Sequence, residues 1–350
     1  MKSRVYLSAP GLVCCAGSGR DRFLEATREG SQSGILPLTL EKGERFLAGI
    51  VPDGVLSPTD DPFDMKILRL ADCALRQTSD DTRAALAAYG PERIGVCVGS
   101  CDNGTERYIP AHKAYFLHGA FPEDYNIRVQ AASYPADFIC RRLGVSGPAF
   151  TVSTACASSA GAVVQAAELI RAGLCDAVIA GGVDVASEAV LLGFDSLEAV
   201  SKDVCNPFSK NRRGITLGDG AAFFVMSRED LSGGGIELLG TGESVDAFHM
   251  TAPRADGGGA ILAMKAALSL ADIQPQDVGY INLHGTGTPL NDSMESRAVA
   301  RIFSPQNSPA SSSKPITGHT LGAAGALELA LCWTLLSSAD GHTALPVHCW

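Results

Sequence analysis

One cysteine and two histidines in this sequence stand where an α/β chain could bring them to a common site. Cys156 lies in "TVSTACASSAG" (Thr151–Gly161), between an apolar β-branched run and a helix start made of small residues. Unpaired N–H groups and partial positive charge at a helix N-terminus favour a thiolate over a thiol. The alanines, serines and Gly161 around it leave room for a substrate. Taken alone, such a cysteine reads as a small core residue. His284 closes the run "VGYINLHGTGT", and His319 lies in "SSSKPITGHTLGAAG". Each follows a predicted strand, and a hydrogen-bonded loop residue is the plain reading of either one. Ligands of α/β sheets bind at the carboxyl ends of strands, so three such groups in equivalent topological places point to a nucleophile with two imidazoles beside it.

Positioning these groups requires strands that end together. Val5–Ala9, Ile94–Gly99, Phe150–Thr154, Ala177–Ala180 and Ala221–Met226 are apolar runs, with helical patterns over Asp64–Gln77 and Ala157–Ala172. Alternation of this kind predicts βαβ units and a mostly parallel sheet covered by helices. After the glycine-rich joint Ser232–Glu237 the order restarts. A strand "IELLGTGESV" is followed by helix Gly258–Ala271, the strand ending at His284, helix Ser293–Phe303, a short strand "ASSSKPIT" and helix Leu321–Leu336. The expected organisation is two pseudo-duplicated βαβαβαββ halves, 1–234 with Cys156 and 235–350 with His284 and His319. The second half is expected to lack its last two strands. The helices beginning at Ala157 and Leu321 lack a polar face, which predicts burial on all sides.

Composition narrows the function classes. A net charge of −10 argues against nucleic acid as a partner. The 11 cysteines form no Cys-x-x-Cys pair and do not cluster with the seven histidines at zinc-type spacing, so no metal is expected. A reduced, cytoplasmic protein is the expectation. Pro10 and Gly11 split the only apolar run near the N-terminus, and no stretch reads as a signal peptide or membrane span.

"TACASS", "NLHGTGTPLNDSMES" and "SSSKPITGHTLGAAGALE" resemble the three catalytic motifs of the elongating β-ketoacyl-acyl-carrier-protein synthases, members of the thiolase-like superfamily. "NPFSKNRRGITLGDGAAFFVM" resembles that family's "PFD…RDGF…GEGAG" segment, and the likeness runs from the first strand to Leu336. It implies a thiolase-like α/β fold, with a dimer or cap region inserted in the first half. It also implies decarboxylative Claisen condensation of an acyl thioester with malonyl-carrier protein, in fatty-acid, polyketide or polyene assembly. Cys156 would carry the acyl group, while His284 and His319 would donate hydrogen bonds to the thioester enolate. Lys314 and Glu295 would form an ion-paired shell behind the histidines, and Thr286 and Thr288 would bind the phosphopantetheine arm. No cofactor of the chain's own is implied, since phosphopantetheine arrives on the acyl carrier protein.

Ser209 stands where the family pattern has aspartate, and Ile215 where it has an aromatic residue. The pattern also continues into a strand hairpin that supplies a second oxyanion-hole N–H and a gating phenylalanine, and the present chain is expected to lack it. The implied partners are acyl carrier protein and a second ketosynthase-like chain, in a homodimer or heterodimer. Two basic groups are candidates for docking the acidic carrier, Lys66 with Arg69, and Lys202, Lys210, Arg212 and Arg213. The rival reading, a non-catalytic chain-length-controlling subunit, is disfavoured by the presence of Cys156.

Overall fold

A computed structural model describes residues 4–102, 104–249, 251–304, 308–338 and 344–350. The main sheet is built from β1 (Tyr6–Leu7), β2 (Gly11–Cys14), β3 (Ile94–Gly99), β4 (Ala149–Val152), β5 (Ala177–Asp184), β6 (Gly220–Ser227) and β7 (Ile236–Glu237). Their order is β7-β1-β6-β5-β3-β4, with β2 also pairing along β6. β3 runs parallel to β4 and β5, whereas β6 is antiparallel to β5, β1 and β2. The sheet is therefore mixed, not mostly parallel. The three parallel strands β3, β4 and β5 are joined through helices, and β6 returns by the long 197–219 connection, which imposes no crossover.

The helices that matter for the site are α1 (Lys66–Gln77), α2 (Thr105–His118), α3 (Ser158–Arg171), α4 (Gly258–Ala271), α5 (Pro289–Phe303) and α6 (Ala324–Ser337). One face of the sheet packs on α1 through Leu68, Leu70, Ala71 and Leu75. The other carries α3 and α6, which meet through Ala162, Val163, Ala166 and Ile170 against Ala326, Leu327, Ala330 and Leu331. Each large aliphatic side chain buried there contributes roughly 1.5–3 kcal/mol. The expectation of burial on every side fails for α3, whose Gln165 and Glu168 are exposed. Small residues at its start had hidden this polar edge. α6 is closer to the expectation, with Leu336 exposed near its end.

In the second half β8 (Ile281–Asn282) and β9 (Ala310–Ser311) form a parallel pair. The strand expected over "IELLGTGESV" contracts to β7. Beyond it the backbone runs against α4, where a Cβ on Gly240 would lie 2.2 Å from the Ala267 carbonyl oxygen and one on Gly242 2.0 Å from that of Ala263. These glycines serve close approach to a helix, not a ladder. "ASSSKPIT" likewise divides into β9 and a helical turn at Lys314–Thr317. No helix among the described residues is long and apolar enough to cross a membrane.

Candidate active site

Cys156 stands on the turn between β4 and α3. Ala155, just before it, is held at φ 52°, a left-handed conformation that costs an L-residue roughly 1–2 kcal/mol. The turn is over-determined by its neighbours. The Thr154 N–H donates to Ser158 Oγ at 2.9 Å, and the Ser158 hydroxyl donates to the Ala155 carbonyl at 2.6 Å. The thiol thus sits on a fixed bend, half-buried, two residues before the helix begins. Burial pushes the Cys156 thiol above its ordinary value, and the nearby Lys314 ammonium opposes that. Desolvation thus works against the preference for thiolate expected at a helix N-terminus and outweighs the Lys314 charge.

His284 follows β8, and its loop is fixed from α5. Glu295 accepts the backbone N–H groups of His284 at 2.6 Å and Gly285 at 2.8 Å. One turn earlier, the fully buried Asp292 accepts those of Thr286 and Gly287, both at 3.2 Å, and that of Phe208 at 2.7 Å. Thr286 and Thr288 bond to each other, hydroxyl to hydroxyl, at 2.8 Å. His319 is buried on the turn before α6.

The three groups converge: the ligating atoms of Cys156, His284 and His319 all lie within 4.8 Å of one another. The two rings are perpendicular, with centroids 5.3 Å apart and an 88° angle between planes. Their protonation follows from their back sides. The Leu321 N–H donates to His319 Nδ1 at 3.1 Å, and the Lys314 ammonium lies 3.3 Å from His284 Nδ1. A neutral ring whose Nδ1 accepts carries its proton on Nε2, so each imidazole offers an N–H from Nε2. Burial first, then the Lys314 charge, holds both well below the ordinary histidine range and keeps them neutral. A metal ion would need the reverse, because ligating histidines donate from their second nitrogen to a carboxylate or carbonyl. Here both second nitrogens accept, one from an ammonium, so the donor set does not fit a metal.

The expected Lys314–Glu295 ion pair does not form. Lys314, 1% exposed, pairs with Glu328 of α6 at 2.5 Å and also donates to the His284 carbonyl. Glu295 is committed to backbone N–H groups instead. Glu328 and Asp292 were missed in the sequence. The signal for Asp292 was its place one turn before Glu295 on the same helix, and for Glu328 a lone carboxylate in an otherwise apolar helix.

The basic groups also sort differently. Lys66 turns inward to the buried Asp219 at 2.8 Å, and Arg69 binds Asp64 at 2.6 Å. Arg212 donates to the Ser209 and Pro289 carbonyls and to Ser293 Oγ, beside Asp292. These three hold the fold. Lys202, Lys210 and Arg213 remain exposed. Ser209 bonds Asn211, and Ile215 is buried against Leu217 and Leu321 behind the His319 turn.

Two family profiles match this chain: "Beta-ketoacyl synthase, N-terminal domain" over residues 61–231 and "Beta-ketoacyl synthase, C-terminal domain" over residues 236–345. Among curated proteins it is 33% identical over 348 residues to nodulation protein E of Rhizobium sp. (strain N33), covering 95% of this chain and 86% of that one. It is 32% identical over 362 residues to 3-oxoacyl-[acyl-carrier-protein] synthase 2 of Vibrio harveyi, covering 97% and 86%. Among solved structures it is similar to a ketosynthase in complex with its chain length factor from Xenorhabdus doucetiae, with TM-score 0.90, 40% identity and coverage of 99% and 86%. It is also similar to a β-ketoacyl synthase from Burkholderia phymatum STM815, with TM-score 0.82, 26% identity and coverage of 99% and 91%.

Proposed function

The chain belongs to the β-ketoacyl synthase family and is a condensing acyltransferase of thiolase-like fold, and on that premise we propose how its residues perform the condensation. The observation that carries the assignment of roles is the convergence of Cys156 with two imidazoles whose Nδ1 atoms both face N–H donors, which leaves each Nε2 to carry the proton.

Cys156 sulfur attacks the carbonyl of an acyl-carrier-protein thioester. The C–S bond to the carrier breaks, and the thiol proton leaves with the carrier's phosphopantetheine sulfur. Malonyl-carrier protein then places its thioester oxygen between His284 and His319. Loss of carbon dioxide leaves the electron pair as an enolate, whose oxygen takes both N–H bonds. Its carbon attacks the acyl-cysteine, releasing the β-ketoacyl product and the Cys156 thiolate, which takes a proton from water to return to the thiol. Charge grows on that oxygen only during reaction, so the two donors favour the transition state over bound substrate. The Lys314–Glu328 pair keeps Nδ1 of His284 an acceptor and the proton on its working face. Thr286 and Thr288, on the loop beside His284, hold the phosphopantetheine arm in this reading, and the enzyme needs no cofactor of its own.

Lys202, Lys210 and Arg213 form the landing site for the acidic carrier, in a cytoplasmic setting suited to 11 free cysteines. A ketosynthase-like partner chain, of the same or a second kind, covers α2 and the segment after it. Phe116 there is 82% exposed, and Leu117 and Ile127 are 67% exposed. Residues 1–234 and 235–350 are the two halves of the subunit.

The test is turnover with acyl- and malonyl-carrier protein, product mass being read by chromatography and mass spectrometry. A β-ketoacyl product is expected, with a KM for carrier that rises between about 50 and about 300 mM salt as the charges are screened. A salt-independent KM would remove the patch from the account. A folded, properly assembled chain that yields no product would favour a chain-length-controlling subunit instead.

A further inference from the structure

β5 is apolar until its last residue, where the chain places a carboxylate: Ala177–Val183 is followed by Asp184, which has no exposed surface. Nothing in the condensation needs an acid at that point, and a bare buried charge would be costly. Its bonds show what it does instead. Asp184 Oδ2 accepts the Cys101 N–H at 2.9 Å and the Gly322 N–H at 2.7 Å, while Oδ1 accepts the Asp102 N–H at 3.0 Å. The three donors come from two separate loops.

Each loop leads to a reacting group. Cys101 follows β3, and its thiol donates to the Ala155 carbonyl at 3.3 Å and lies 3.5 Å from Ser158 Oγ. Those are the groups that fix the bend carrying Cys156. Gly322 belongs to the turn Leu321–Ala323, and its neighbour Leu321 supplies the N–H on His319 Nδ1. The fit at Gly322 is close, since a Cβ there would lie 2.7 Å from Asp184 Oδ2 and 3.0 Å from Ser100 Cα.

We propose that Asp184 is a positioning residue that ties the Cys156 bend to the His319 turn from beneath the site and so fixes which nitrogen of His319 carries the proton. One carboxyl group spans both loops, and in its ionised form its charge strengthens all three bonds. Burial raises its carboxyl to about 7 even though the N–H groups of Cys101, Gly322 and Asp102 lower it; the Asp102 side-chain charge adds to the rise. The inference rests on the catalytic reading given above, but its direct readout, the imidazole itself, requires no turnover.

The experiment compares wild type with Asp184→Asn, and with Asp184→Ser should the first not fold. Asp72→Asn is the control, since Asp72 is a buried acid that binds Arg76 and Arg142 away from the site. In protein labelled with 15N-histidine, long-range 1H–15N spectra report the tautomer of each ring. Wild type should show His319 with its proton on Nε2, and the Asp184 variants should show a mixture with Nδ1–H. The variants' kcat should fall roughly 100-fold, as for an Å-scale misplacement of a catalytic group, with KM for carrier little changed. Asp72→Asn should lower Tm and move neither readout. A folded Asp184 variant with the wild-type tautomer and kcat would overturn the proposal. A shifted tautomer in a chain that fails to condense even as wild type would uphold the positioning and reject the catalytic reading.

Discussion

At the scale of the residue, the site runs on neutral imidazoles held next to a buried ammonium, and that arrangement has two measurable consequences. Lys314 is compensated by Glu328, and truncating one partner strands the other. Glu328→Ala is expected to cost about 3–5 kcal/mol, as for other broken buried pairs. The double variant Lys314→Met/Glu328→Leu should regain most of that stability while activity stays low. Denaturant midpoints set beside kcat would show it, and a Glu328→Ala protein of wild-type stability would contradict the pairing. The second consequence concerns pH. Both histidines sit well below their ordinary range when folded. Below about pH 6.5 the unfolded chain therefore takes up protons that the folded site refuses, and the stability these rings contribute falls as pH falls. Buried carboxyls such as Glu295 and Glu328, raised by burial, act in the opposite sense, so the comparison must be made by variant. Between about pH 7.5 and about pH 5.5 wild type should lose more stability than His284→Gln/His319→Gln. Equal losses would mean that the rings are not held neutral.

At the scale of the element, what could be read in the sequence followed from how much of each signal is local. Strand β3 and helix α4 coincide with the runs expected from apolar pattern alone, and α3 differs by one residue at each end. Cys156, His284 and His319 were legible because a strand end followed by glycine or small residues marks a ligand-binding loop. What stayed hidden depended on tertiary contact. The partner of Lys314 sits on α6, and nothing in "GALELAL" says that Glu328 points at it. Lys66 looks like a surface cation until Asp219, the residue before β6, reaches it. Gly240 and Gly242 read as part of a strand, yet they exist so that backbone can lie against α4. That reading is testable: Gly242→Ala, which forces a Cβ onto the Ala263 carbonyl, should destabilise by about 1–3 kcal/mol. Gly279→Ala, with open space around its Cβ, should be close to neutral. Similar Tm values for the two would show that the close approach is not real.

At the scale of the whole molecule, the sheet and its two central helices serve to bring three turns from distant parts of the chain to one point. The Cys156 thiol comes from the turn after β4, one imidazole from the end of β8, and the other from the turn entering α6. Burial that holds the imidazoles neutral also raises the thiol. The central claim is that Cys156 carries the acyl group. Intact-protein mass spectrometry after mixing with acyl-carrier protein, on wild type and Cys156→Ala, tests it most directly, with malonyl-carrier protein added afterwards. The account predicts an acyl mass on wild type alone, cleared as β-ketoacyl product appears. Acylation that persists in Cys156→Ala, or a folded wild-type chain that takes no acyl group, would contradict it.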